Sequence, residues 1–79
     1  MESYEETERQ VVEYLTKVCS TKPQLSDSLA MIGIDSVAMA ELTFEFEKRF
    51  SIRIDDEILD VESVEQLIRY VHERQLIRK

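Results

Sequence analysis

Leu29-Ala30-Met31-Ile32-Gly33-Ile34-Asp35-Ser36-Val37-Ala38-Met39-Ala40-Glu41-Leu42-Thr43-Phe44-Glu45-Phe46-Glu47-Lys48-Arg49-Phe50 decides how this chain folds. Its character changes at Asp35. Residues 36–50 hold neither Gly nor Pro, and Asp is a favoured N-cap, so the pattern predicts a helix from Ser36 to Phe50 with Asp35 at its head. On a wheel of 100° per residue, Met39, Leu42, Phe46 and Phe50 share one side, as a core stripe does. Val37, Ala40 and Phe44 form a second apolar stripe most of the way round to the opposite side. Glu41 and Lys48 border it on one flank and Glu47 on the other. Either the preceding loop covers that stripe or it is a docking face with a mixed-charge rim; we read it as the latter.

Upstream, a first helix is expected from Tyr4 to Cys19, opened by a Ser3/Glu6 capping box. Glu2, Glu5, Glu6, Glu8 and Glu13 place acid toward the positive end of its dipole. Val11, Leu15 and Val18, with Val12 and Cys19, would face the core. Residues 20–35 read as a long loop that must bury Leu25, Leu29, Met31 and Ile32 somewhere; loops of such length are often functional. Downstream, Phe50-Ser51-Ile52-Arg53-Ile54 reads as an extended linker pinning Ile52 or Ile54. A helical turn near Asp56–Asp60 would contribute Ile58 and Leu59. A last helix begins at Ser63, where Ser63 and Gln66 make a second capping-box pattern, and carries Val64, Leu67, Ile68 and Val71 at i, i+3, i+4 and i+7.

The whole chain agrees with this reading. Seventy-nine residues with one Gly, one Pro and no Asn leave few turn-makers for an all-β domain. The expectation is a single all-α domain over residues 1–79, a small four-helix bundle of three main helices and one short one. A net charge of -7 repels phosphate backbones and anionic headgroups, which argues against nucleic-acid and membrane partners. No apolar run approaches the ~20 residues of a membrane span. The acidic start is unlike a signal peptide, so a cytoplasmic monomer is expected. Cys19 is the one cysteine; it reads as a small core residue, and no internal disulfide can form.

Catalytic chemistry finds little support. The lone His72 reads as a surface residue on the last helix, and Ser36 lacks the second glycine of a nucleophile elbow and an adjacent base. Asp55-Asp56-Glu57 lacks calcium-loop spacing, and one Cys with one His cannot hold zinc. No catalytic or metal residues are assigned.

Leu29 to Val37, followed by Glu41-Leu42 and Glu45-Phe46-Glu47-Lys48-Arg49-Phe50, resembles an acyl carrier protein. That family carries a Leu-Gly-x-Asp-Ser-Leu core before an acidic helix. The resemblance implies that Ser36 accepts covalent 4′-phosphopantetheine from coenzyme A, through a phosphopantetheinyl transferase and magnesium. The thiol of that arm would hold acyl groups as thioesters. The protein would then be no enzyme but a free-standing shuttle between the enzymes of a fatty-acid, lipid or polyketide-type pathway. Asp35 would serve both as cap and in recognition by the transferase. Partner enzymes with basic docking patches would meet Asp35, Val37, Ala40, Glu41, Phe44, Glu47 and Lys48. The chain departs from the family at Ala38, where an acid is usual in fatty-acid carriers, at Lys48-Arg49, and at Asp55 in place of a frequent proline. These departures point to a specialised carrier. An aminoacyl or peptidyl carrier, or an unmodified interaction module of the same fold, are the alternatives.

Overall fold

The computed structural model describes residues 3–76; Glu2, counted above with the acids of the first helix, lies outside them. Three α-helices and one short 3-10 helix follow in order: α1, Tyr4–Cys19; α2, Ser36–Phe50; the 3-10 helix, Asp56–Asp60; and α3, Val64–Leu76.

Local chemistry explains most of the boundaries. The Ser3 hydroxyl accepts the Glu6 N–H at 3.2 Å, and α1 ends where Ser20 turns left-handed at φ 66° and donates its N–H to the Thr16 carbonyl. Asp35 caps α2 by accepting the Ala38 N–H at 2.9 Å. Ser51, at φ 57°, ends it. Ser63 accepts the Gln66 N–H. The reciprocal half of that capping box is displaced by one residue: Gln66 Oε1 takes the Glu62 N–H at 2.8 Å.

The core is one cluster. Val11 and Leu15 of α1 meet Leu42, Phe46 and Phe50 of α2 and Val64, Leu67, Ile68 and Val71 of α3, all buried. Phe46 packs edge-on against Tyr14 and Phe50. The linker pins both of its isoleucines, Ile52 and Ile54, and the 3-10 helix adds Ile58.

Four expected core residues are exposed: Val18, Leu25, Met31 and Leu59. Val18 falls on the solvent side of α1. Met31 sits in a series of turns whose hydrogen bonds run from Ile32 N–H to Ser28 and from Gly33 N–H to Ala30, so successive side chains point different ways: Leu29 and Ile34 are buried, Ile32 packs partly buried against the core, and Met31 points out. Leu59 leaves the core because the 3-10 helix has three residues per turn and Ile58 takes the inward position. Cys19 packs partly buried at the edge of the core.

The long loop is tied down by backbone. Leu29 donates to the Glu62 carbonyl, Val64 to Asp27 and Glu65 to Leu25, at 2.9–3.0 Å. An isolated antiparallel bridge joins Ser28 to Ser63. The loop is thereby laid along the start of α3, and the outward side of α2 stays uncovered.

Candidate functional site

Ser36 is the first residue of α2 and is exposed. The first helical turn leaves N–H groups without intrahelical acceptors. One of these is met by Asp35, whose carboxylate takes Ala38 N–H at 2.9 Å, while its carbonyl accepts the first helical bond, from Met39 N–H at 2.8 Å. The N–H groups at the very start, beside the Ser36 hydroxyl, together with the helix dipole, favour a phosphate there. Immediately upstream, Gly33 has φ 96°, a backbone conformation in which a side chain would be strained. A Cβ on Gly33 would meet nothing within 4 Å, so the glycine is required by its backbone angle and not by crowding.

The second apolar stripe is open. Val37 and Phe44 are each about two-thirds exposed, at 66% and 67%, and Ala40 is exposed between them. On the rim, Glu41 is exposed and Lys48 Nζ lies 5.5 Å from the centre of the Phe44 ring. Glu47 is turned elsewhere: its Oε2 accepts the Ile54 N–H at 2.9 Å and so fastens the linker to α2. Glu45 pairs with Arg49 at 3.4 Å. Six of the seven residues expected on the docking face thus belong to one exposed surface, and the carboxylate of Glu47 serves the fold.

A groove of about 530 Å³ opens beside this end of the molecule. Ile34 and Met39, which flank the Asp35-Ser36 pair in sequence, line it with Leu29 and Val61, and the rest of its wall is largely polar, from Ser28, Ser63 and Gln66 among others.

No catalytic arrangement gathers around Ser36. His72 is partly buried, a correction to its expected surface position. It packs edge-on against Tyr4 on α1, at 5.1 Å between ring centres, and its buried Nδ1 has no hydrogen-bond partner. Among the described residues, no group of three or more His, Cys, Asp or Glu could hold a metal ion. The Asp55 carboxylate instead caps the 3-10 helix through Glu57 N–H and accepts from the Tyr70 hydroxyl and from Arg74, with Arg74 also reaching Glu57 at 2.8 Å. The Glu57 N–H, followed by Tyr70 and Arg74, holds Asp55 below the usual aspartate range. Arg74 in turn lies 4.8 Å over the Tyr70 ring. Sequence reasoning did not find this clamp: Tyr70 and Arg74 stand at i, i+4 on α3, but Asp55 lies 15 and 19 residues upstream of them, beyond the reach of any helical spacing.

A family model described as "Phosphopantetheine attachment site" matches residues 9–71. The chain belongs to this family. Its members carry covalent 4′-phosphopantetheine and are carriers rather than enzymes. The carrier domain is also similar in structure to an acyl carrier protein from Thermotoga maritima, with a TM-score of 0.75 and 24% identity over 90% of this chain and 88% of that one. The all-α carrier fold is therefore shared. A comparison with curated proteins finds no match. An exposed serine hydroxyl at an open helix start fits the group that the family carries.

Proposed function

We propose that Ser36 is the attachment serine and that the chain shuttles acyl groups as thioesters among the enzymes of a specialised fatty-acid, lipid or polyketide-type pathway. One observation carries this reading. Ser36 is the exposed first residue of α2, capped by Asp35, at the head of a helix whose outward apolar stripe is uncovered.

In this reading Ser36 Oγ gives up its proton to the transferase and forms a phosphodiester with the phosphate of the arm, as the pyrophosphate bond of coenzyme A breaks and adenosine 3′,5′-bisphosphate leaves. The bound arm supplies a thiol on which an acyl group is held. Asp35 fixes the start of α2, so that the hydroxyl is presented from a rigid position, and the helix start tolerates the phosphodiester charge. The apolar side of the groove, formed by Leu29, Ile34, Met39 and Val61, offers the cargo a place to shelter from water. Val37, Ala40 and Phe44 supply the surface on which the transferase and pathway enzymes dock. Ala38 and the Lys48-Arg49 pair give that surface a charge pattern unlike that of a general fatty-acid carrier, which supports a dedicated pathway.

The test is intact-protein mass spectrometry after incubation with coenzyme A, magnesium and a phosphopantetheinyl transferase. A single adduct is expected, mapped to the peptide holding Ser36 and lost in Ser36→Ala, whose fold should persist because an exposed helical position accepts Ala. An adduct on the Ser36→Ala protein would refute the assignment.

A further inference from the structure

The chain as a whole is strongly acidic, yet the outward side of α2 is not. α2 carries three acids, Glu41, Glu45 and Glu47, and two bases, Lys48 and Arg49. Glu45 is paired to Arg49 and Glu47 to the Ile54 N–H. What faces solvent around Phe44 is therefore Glu41 on one side and the Lys48 ammonium drawn over the ring on the other.

We propose that Lys48 is a specificity determinant. The α2 face fits an enzyme that offers an apolar pocket for Phe44 and a carboxylate for Lys48, and it disfavours one that presents a basic surface there. This rests on the carrier reading above. A partner arginine approaching the Phe44 ring would meet a cation already held on it, so like charges would oppose each other at the centre of the contact. A carboxylate at the same place would complete the pair, with the ring packed beneath it. Lys48 is twelve residues from Ser36, about 18 Å along the helix axis. It can thus select the partner without touching the chemistry at the serine. Acids elsewhere, such as Asp56 and Asp60 of the 3-10 helix, remain able to steer basic regions of a partner at longer range.

The test uses a phosphopantetheinyl transferase with arginines at its carrier-docking surface, and the same enzyme with those arginines changed to glutamate. Each loads Ser36 from coenzyme A. The arginine enzyme should load Lys48→Glu faster than the wild-type chain, and the ratio of rates for the two enzymes should shift by about two- to fivefold between the two carriers, as exposed charge pairs allow. Lys48→Gln should lie between them, and it separates charge from any effect of an acid at the helix C-terminus. Normal loading with a ratio indifferent to residue 48, or faster loading of the wild type by the arginine enzyme, would overturn the assignment of Lys48 and leave the carrier role standing. No adduct with either enzyme would overturn the carrier role itself.

Discussion

Two phenylalanines two residues apart on α2 lead opposite lives. Phe46 is fully buried between Tyr14 and Phe50, whereas Phe44 is 67% exposed under the Lys48 ammonium. They share residue type, helix and near-identical position, so composition cannot separate them; only the direction of each side chain does. The inward side of α2 is stabilised by burial. The outward side leaves an apolar surface exposed, with only the Lys48 ammonium over one edge of it, which is the expected mark of a surface kept for a partner.

The strongest way to break this comparison is to truncate the inward ring. Phe46→Ala should cost about 3–5 kcal/mol, as core Phe truncations do. In a domain of this size, whose margin is thin, denaturant titration should find it largely unfolded. A loss below about 1 kcal/mol would mean that the inward side is not the tightly packed one.

The head of the helix lies between the two sides. Asp35→Ala should lower stability by about 1 kcal/mol, the cost of an N-cap, and should also slow loading because Ser36 would lose its rigid presentation. Thermal melting and loading rate measured together check both effects. A cap variant with unchanged melting would remove Asp35 from the account.

The held side continues beyond α2 through the Asp55 clamp, which can be sharpened by pH. Asp55 has a folded-state value below the unfolded aspartate value of about 3.9. Its contribution is therefore present above that pH and is lost as pH falls through the folded value. Asp55→Asn should be less stable than wild type near pH 6, and the gap should close in the region below about pH 4. A gap that persists unchanged through acid would mean that the carboxylate charge plays no part in holding the 3-10 helix.

Much of this was legible in the sequence because it depends on neighbours along the chain. The helices Tyr4–Cys19 and Ser36–Phe50 and the turn at Asp56–Asp60 lie where capping serines, Asp35 and the breaks in periodicity place them. The Asp35-Ser36 pair and the second stripe follow from the same local rules. The rest depends on partners distant in sequence. The bridge from Ser28 to Ser63 decides that the loop lies along α3 and leaves α2 open. Glu47 looks like a rim charge on a wheel, yet it bends to the Ile54 N–H. Leu25, Met31 and Leu59 are apolar residues in turns and a 3-10 helix, where no simple period tells inside from outside. His72 lies against a ring on α1 that spacing within α3 cannot reveal.

The central claim is that the outward side of α2 is a docking surface and not a second core. Phe44→Ala tests it directly when melting temperature and the rate of Ser36 loading are measured on the same protein. The account predicts a stability change within about 0.5 kcal/mol, as for an exposed residue, with a clear fall in loading rate. A loss of the ~3–5 kcal/mol typical of a buried ring, with loading of the remaining folded protein unchanged, would contradict it.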